Sequence, residues 1–286
     1  MKLFSQRKGL KPIKTLVQLD TMDDELRVAL WNALCSHYWN DVGLDADGRL
    51  VWDADPHMFL FCRQLWADYF KATTDTVPRY WEDNYKRIRR YFLKCSWNEV
   101  YDLIEFISNV HENAFKNAAF QRACNEALER ELSAYRFVGG KIGPITSEEE
   151  IAVVEEAIRS PDALKPVSIH IARALDFLAD RKAPDYRNSI KESISAVEAT
   201  CKLLTGEPKA DLRYALKHLA NKISLHPALE EGFVKMYAFT SDEHGIRHAL
   251  LDESDLSFED AKFMLVSCSA FVNYLRAKSI KSGVKF

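Results

Sequence analysis

The chain has 286 residues, 47% hydrophobic and 28% charged, a globular composition long enough for two ordinary domains, and one that excludes disorder. The net charge is −3. Residues 1–140 carry 19 basic and 20 acidic side chains and the rest carry 20 and 22, which excludes a global basic field, so any binding of nucleic acid must come from a local patch.

Glycine (10) and proline (9) are scarce, which argues against a sandwich or barrel with its many turns. The six cysteines (Cys35, Cys62, Cys95, Cys124, Cys201, Cys268) form no CxxC pair and read as small buried hydrophobes rather than zinc or redox ligands. The amino terminus has no apolar leader core and no run approaches 18 apolar residues, so a cytoplasmic, soluble protein without a membrane contact is expected.

In chain order, a first helix is expected from near Thr21, where Asp23, Asp24 and Glu25 favour the positive end of its dipole. Residues 43–55 read as a turn with a short strand pair. Within it Asp45-x-Asp47-Gly48 lacks the further ligands of a calcium loop and is expected to be a polar turn. Helical spacing then covers roughly 56–72, 79–94, 97–111 and 114–134. The stripe Trp66, Tyr69, Phe70 reads as packing. In the helix at 79–94, Lys86, Arg90 and Lys94 recur at i, i+4 and i+8, with Arg87 beside them and Trp81, Tyr85 and Tyr91 nearby. Such a face can grip a phosphate backbone and stack bases, and it can equally be a solvated helix whose aromatics are core.

The period changes at Tyr135–Val138 and Lys141–Ile145, which flank Gly139-Gly140, a favoured two-residue hairpin turn. Thr146 with Glu149 is then expected to cap a new helix. A domain boundary is placed here, giving domains 1–140 and 141–286. Further helices are expected at about 147–159, 166–181, 185–205, 209–221, 226–239 and 258–277, the last capped by Ser257 with Asp260. The fold class is mainly α: two helical domains joined by a short β-hairpin.

The run from Asp185 to Ala199 (DYRNSIKESISAVEA), the run from Tyr237 to Leu250 (YAFTSDEHGIRHAL) and Phe258–Leu265 (FEDAKFML) resemble HEPN-type helical bundles of AbiJ-like abortive-infection proteins, over most of residues 146–280. Phe4-Ser5-x-Arg7-x-Gly9, Met22–Arg27 and Leu30-Trp31-Asn32 resemble the fourth class of AbiJ N-terminal domain. The resemblance implies an antiphage protein in which a HEPN-like domain dimerises and acts as a metal-independent endoribonuclease on RNA. The N-terminal domain would sense a phage-derived trigger, with no cofactor and no metal.

HEPN ribonucleases usually carry an Arg followed after four to six residues by a His. Here Arg247 is followed at once by His248, and five positions on stands Asp252. Adjacent residues of a helix point about 100° apart and cannot face one phosphate equally, whereas His244 and Arg247 can share a face. Chemically, Arg247 suits clamping of the phosphate, and His248 or His244 suits proton transfer. Glu198, Asp242 and Arg187 are the residues expected around them, Glu198 pointing inward toward Arg247 or His248. The Glu198 pair can be structural or catalytic, and Asp242 can instead cap a turn. A second match to the usual spacing, Arg213…His218, reads as an exposed helix face. The alternative to the enzyme is a catalytically silent module that serves dimerisation or binding, a reading favoured by the altered Arg/His spacing.

Overall fold

The computed structural model describes residues 4–8, 10, 14, 16–40, 42, 56–180, 183–241 and 256–284. The expected polar turn and strand pair at 43–55, Asp45 and Asp47 included, lie outside the described residues. The chain divides into two compact units, residues 1–144 and 145–286.

The first unit begins with the short helix α1 (Phe4–Arg7) and α2 (Asp24–Leu34). The cap of α2 is Asp23, whose carboxylate accepts the Leu26 N–H at 2.9 Å. The start therefore falls three residues after Thr21, because a carboxylate at Asp23 satisfies an orphan donor and favours the dipole at once. Next come α3 (Pro56–Gln64), α4 (Trp81–Lys94), α5 (Trp97–Val110) and α6 (Ala114–Arg130). Both α2 and α3 run into one π-helical turn, Cys35–Trp39 and Leu65–Tyr69. The pattern expected as one helix over 56–72 thus changes its winding at Leu65. Around Leu30, Leu34, Trp66, Ile88, Phe92, Leu103, Ile104 and Phe120, all buried, these helices form one aromatic-rich core.

Strands β1 (Arg136–Val138) and β2 (Lys141–Gly143) pair antiparallel, with Phe137 opposite Ile142. Gly139 (φ 56°) and Gly140 (φ 85°) supply the two positive φ angles of a tight hairpin turn. Asn125 holds β1 to α6: the Phe137 N–H donates to its Oδ1 (2.7 Å) and its Nδ2 donates to the Phe137 carbonyl (3.0 Å).

The second unit comprises α7 (Glu148–Ile158), α8 (Lys165–Ala179), α9 (Tyr186–Thr205), α10 (Leu212–Ile223), α11 (Pro227–Ser241) and α12 (Phe258–Lys281). Ser147 caps α7, not Thr146; its hydroxyl accepts the Glu150 N–H and donates to Glu149. Ser257 and Asp260 form the capping box of α12 as the sequence pattern predicts. Helix α9 packs against α8, α10, α11 and α12. Its buried side includes Ser189, Ser193 and Thr200, small enough to let neighbours approach, and none is left unsatisfied: Ser189 donates to the Ala174 carbonyl of α8, Ser193 and Thr200 to carbonyls one turn back.

All six cysteines are free thiols. Burial pushes the Cys268 thiol up to about 12, so it stays protonated and inert. Among the described residues no helix is long and apolar enough to cross a membrane.

Candidate functional site

Arg247, His248, His244 and Asp242 lie outside the described residues. The two other residues of that expected constellation stand on α9. Arg187 is half-buried in its first turn, and Glu198 is half-buried three turns on. Eleven positions separate them, which places them on nearly the same face but about 16 Å apart along the axis. They are not brought together. The carboxylate of Glu198 lies 2.6 Å from the Lys202 ammonium, one turn further on. Burial, and then the charge of Glu198, push the neighbouring Cys201 thiol up to about 12.

A different pair of polar side chains meets across two helices of this unit. His170, on α8, places its Nδ1 2.6 Å from the carboxylate of Glu192, on α9. The two side chains are 29% and 18% exposed, so the pair is held by the α8–α9 packing yet reaches solvent. In the tautomer that donates from Nδ1 to the Glu192 carboxylate, Nε2 of the ring keeps its lone pair. This is the geometry of an oriented general base. Sequence reading missed it. Glu192 looks like one more charge on a solvated face, and His170 lies 22 residues away; only the inter-helix packing unites them.

The second Arg/His spacing is a helix face, as expected. On α10, Arg213 is exposed, and His218 sits 2.6 Å from the Glu207 carboxylate. Among the described residues no group of His, Cys, Asp or Glu is arranged to hold a metal.

On α4, Lys86, Arg87, Arg90 and Lys94 are all exposed. Lys86 pairs with Glu82 at 2.7 Å, and the Arg87 guanidinium lies 5.0 Å from the Trp66 ring. The aromatics expected to stack bases point the other way. Trp81 packs on Trp39 (5.3 Å between centroids), Tyr85 on Trp31 (5.6 Å), and the Tyr91 hydroxyl lies 3.1 Å from that of Tyr69. The amphipathic spacing that exposes the cations buries these rings, so the face offers charge without a stacking platform. Trp66 is fully buried and Phe70 packs on it and on Tyr69, a core stripe rather than a ligand cage.

No curated protein and no solved structure matches the chain. A family model does: AbiJ N-terminal domain 4, over residues 2–160, which spans the whole first unit and continues through α7. With more than half of its length matched, the chain belongs to the AbiJ N-terminal domain 4 family, and so to the proteins associated with abortive infection.

Proposed function

We propose that this is a cytoplasmic antiphage protein whose second unit, a HEPN-like bundle, cleaves RNA without a metal under the control of the first, trigger-sensing unit. The observation that supports the reading is the His170 imidazole held by Glu192 at a solvent-reaching helix face. In the reaction, a base takes the proton of a ribose 2′-hydroxyl, whose oxygen attacks the adjacent phosphorus. The P–O5′ bond breaks, the 5′-oxygen leaves with a proton from an acid, and a 2′,3′-cyclic phosphate remains. His170 suits the base, His248 or His244 the acid, and Arg247 the charge developing on the phosphate. A homodimer through the second unit would place two such sets beside one RNA. The cationic face of α4 would hold the phosphate backbone.

The test is cleavage of labelled transfer or messenger RNA by the full chain with chelator present, for wild type, Arg247→Ala and His170→Gln. Cleavage by wild type that falls at least a hundredfold in both variants is expected, the size of effect that removing an acid–base group produces, about 10²- to 10⁴-fold. Cleavage lost only in Arg247→Ala removes His170 from the site. Background traces throughout, also with lysate of phage-infected cells added as a source of trigger, sink the enzyme and favour the second reading, a silent dimerisation module, which the adjacency of Arg247 and His248 supports. The same RNA reports on α4: its affinity should fall steeply with salt, and Arg90→Ala with Lys94→Ala should flatten that slope.

A further inference from the structure

Helix α10, LRYALKHLANKI, contains no aspartate or glutamate, and every other described helix of the second unit contains at least one. Leu212, Ala215, Leu216, Leu219, Ala220 and Ile223 are buried. At about 100° per residue they gather on one side and leave roughly half of the helix surface to solvent. That open half holds Arg213, Lys217 and Lys222, all exposed. Among the described residues no ion pair engages any of the three. Helix stability does not account for them. Arg213 stands in the first turn, where the dipole disfavours a cation, and Arg213 with Lys217 is a like-charge pair four residues apart. Only Lys222, in the last turn, suits the dipole.

At the middle of the open half stands Tyr214, 59% exposed, the most exposed tyrosine or tryptophan among the described residues. Helical spacing puts Arg213 and Lys217 to one side of it and Lys222 to the other. The tyrosine is held in place. Its backbone N–H donates to the cap Asp211 (2.7 Å), and its ring meets His218 edge-on at 6.3 Å between centroids. His218 Nδ1 in turn lies 2.6 Å from the Glu207 carboxylate. Asp211 and Glu207 thus border the face, but with exposed Lys209 beside them the cations of this stretch outnumber the carboxylates four to two. Helix α4 carries cations with its rings turned into the core; α10 carries cations around a ring turned out.

We infer, on the reading that the second unit acts on RNA, that the outer face of α10 is a docking surface for a single strand of RNA. Phosphates meet Arg213, Lys217 and Lys222, and one base stacks on Tyr214. The charge complements a phosphate backbone, and every base has a face to stack, so the surface tolerates many sequences. Twelve residues of helix run about 18 Å, room for roughly five nucleotides at about 3.4 Å each. A duplex keeps its base faces in its own stack, so it can use the cations but not the ring.

The test is binding of the full chain to a fluorescein-labelled 2′-O-methyl RNA of about 12 nucleotides, followed by anisotropy. That strand has no free 2′-hydroxyl and cannot undergo the proposed cleavage, so docking and cleavage fail separately. Because the face is already exposed, binding needs no trigger. Tyr214→Ala should weaken the single strand at least fivefold, as loss of a stacking ring does, and Tyr214→Phe should bind within twofold of wild type. Arg213→Ala with Lys217→Ala should flatten the slope of log affinity against log salt by about 1.4. Lys165→Ala with Lys235→Ala, an equal loss of charge on α8 and α11, should leave that slope unchanged. Absence of saturable binding overturns the inference. So does an unaffected Tyr214→Ala, an equal loss in Tyr214→Phe, an equal loss for the same strand annealed to its complement, or equal flattening by the Lys165 and Lys235 changes.

Discussion

Lys14 shows how single side chains fix the start of the first unit. Its ammonium meets Asp23, Glu131 (2.9 Å) and Glu25 (3.3 Å), while Gln18 donates to the Glu131 carbonyl and accepts the Asp23 N–H. Burial opposes ionisation of Asp23 and Glu131. Lys14, together with the Leu26 N–H and Gln18 at Asp23 and with Arg130 at Glu131, outweighs it and holds both carboxyls below the usual range. The lysine itself is lowered by burial and raised further by the three carboxylates, ending above the ordinary lysine range. A depressed carboxyl means the unfolded chain binds more protons, so this stability is present at neutral pH and lost as pH falls below about 4. The raised lysine works oppositely, its contribution fading above about pH 10. Because Glu25 is well exposed and the Asp23 side chain is 38% exposed, screening limits the cluster to about 1 kcal/mol. Lys14→Met should therefore lower stability by about that much at pH 7 and by almost nothing at pH 3, read from urea midpoints at both; an equal gap at the two pH values would refute the account.

At the scale of elements, two helix ends in the second unit make opposite choices in the same conformation. Helix α9 stops at Gly206 (φ 77°) and α10 at Ser224 (φ 52°), both left-handed. Glycine takes that conformation freely, whereas a Cβ brings it against the following carbonyl. No neighbouring atom would meet a Cβ at Gly206, so only backbone strain acts there. Gly206→Ala should cost about 1 kcal/mol and Ser224→Gly should gain about 0.5 kcal/mol, seen as opposite shifts in the thermal midpoint; shifts of the same sign would reject it. These ends also show what sequence conveys. The end of α9 at 205 and the caps Ser257 and Asp260 were legible, the caps because they satisfy backbone groups locally. The π-helical turns were not, since Leu65, Trp66 and Tyr69 continue an apolar pattern that one added residue per turn does not visibly disturb. His170 and Glu192 were illegible for another reason: a pair made across two helices leaves no spacing signal in either.

At the scale of the whole molecule, the family match and the packing divide the chain at different places. The match runs to residue 160 and so takes in α7, yet that helix packs against α12 and α8 of the second unit. Asn273 of α12 donates to the Val153 carbonyl (3.0 Å), Arg276 bonds the Glu156 carboxylate (2.7 Å), and the Lys262 ammonium lies 2.7 Å from Glu150. Ile151, Val154 and Ala157 are buried beneath them. Burying the isoleucine and the valine alone is worth roughly 3–6 kcal/mol, comparable with the total stability of a small domain. Removing α7 would also leave Asn273 and Arg276 without the acceptors they now satisfy. A fragment of residues 145–286 should therefore be helical by circular dichroism and unfold cooperatively in urea. One of residues 161–286, cut where the family match ends, should be unfolded or aggregated. If the shorter fragment unfolds with the same midpoint and steepness as the longer, α7 is an appendage of the first unit, and the family match marks the true edge of the second.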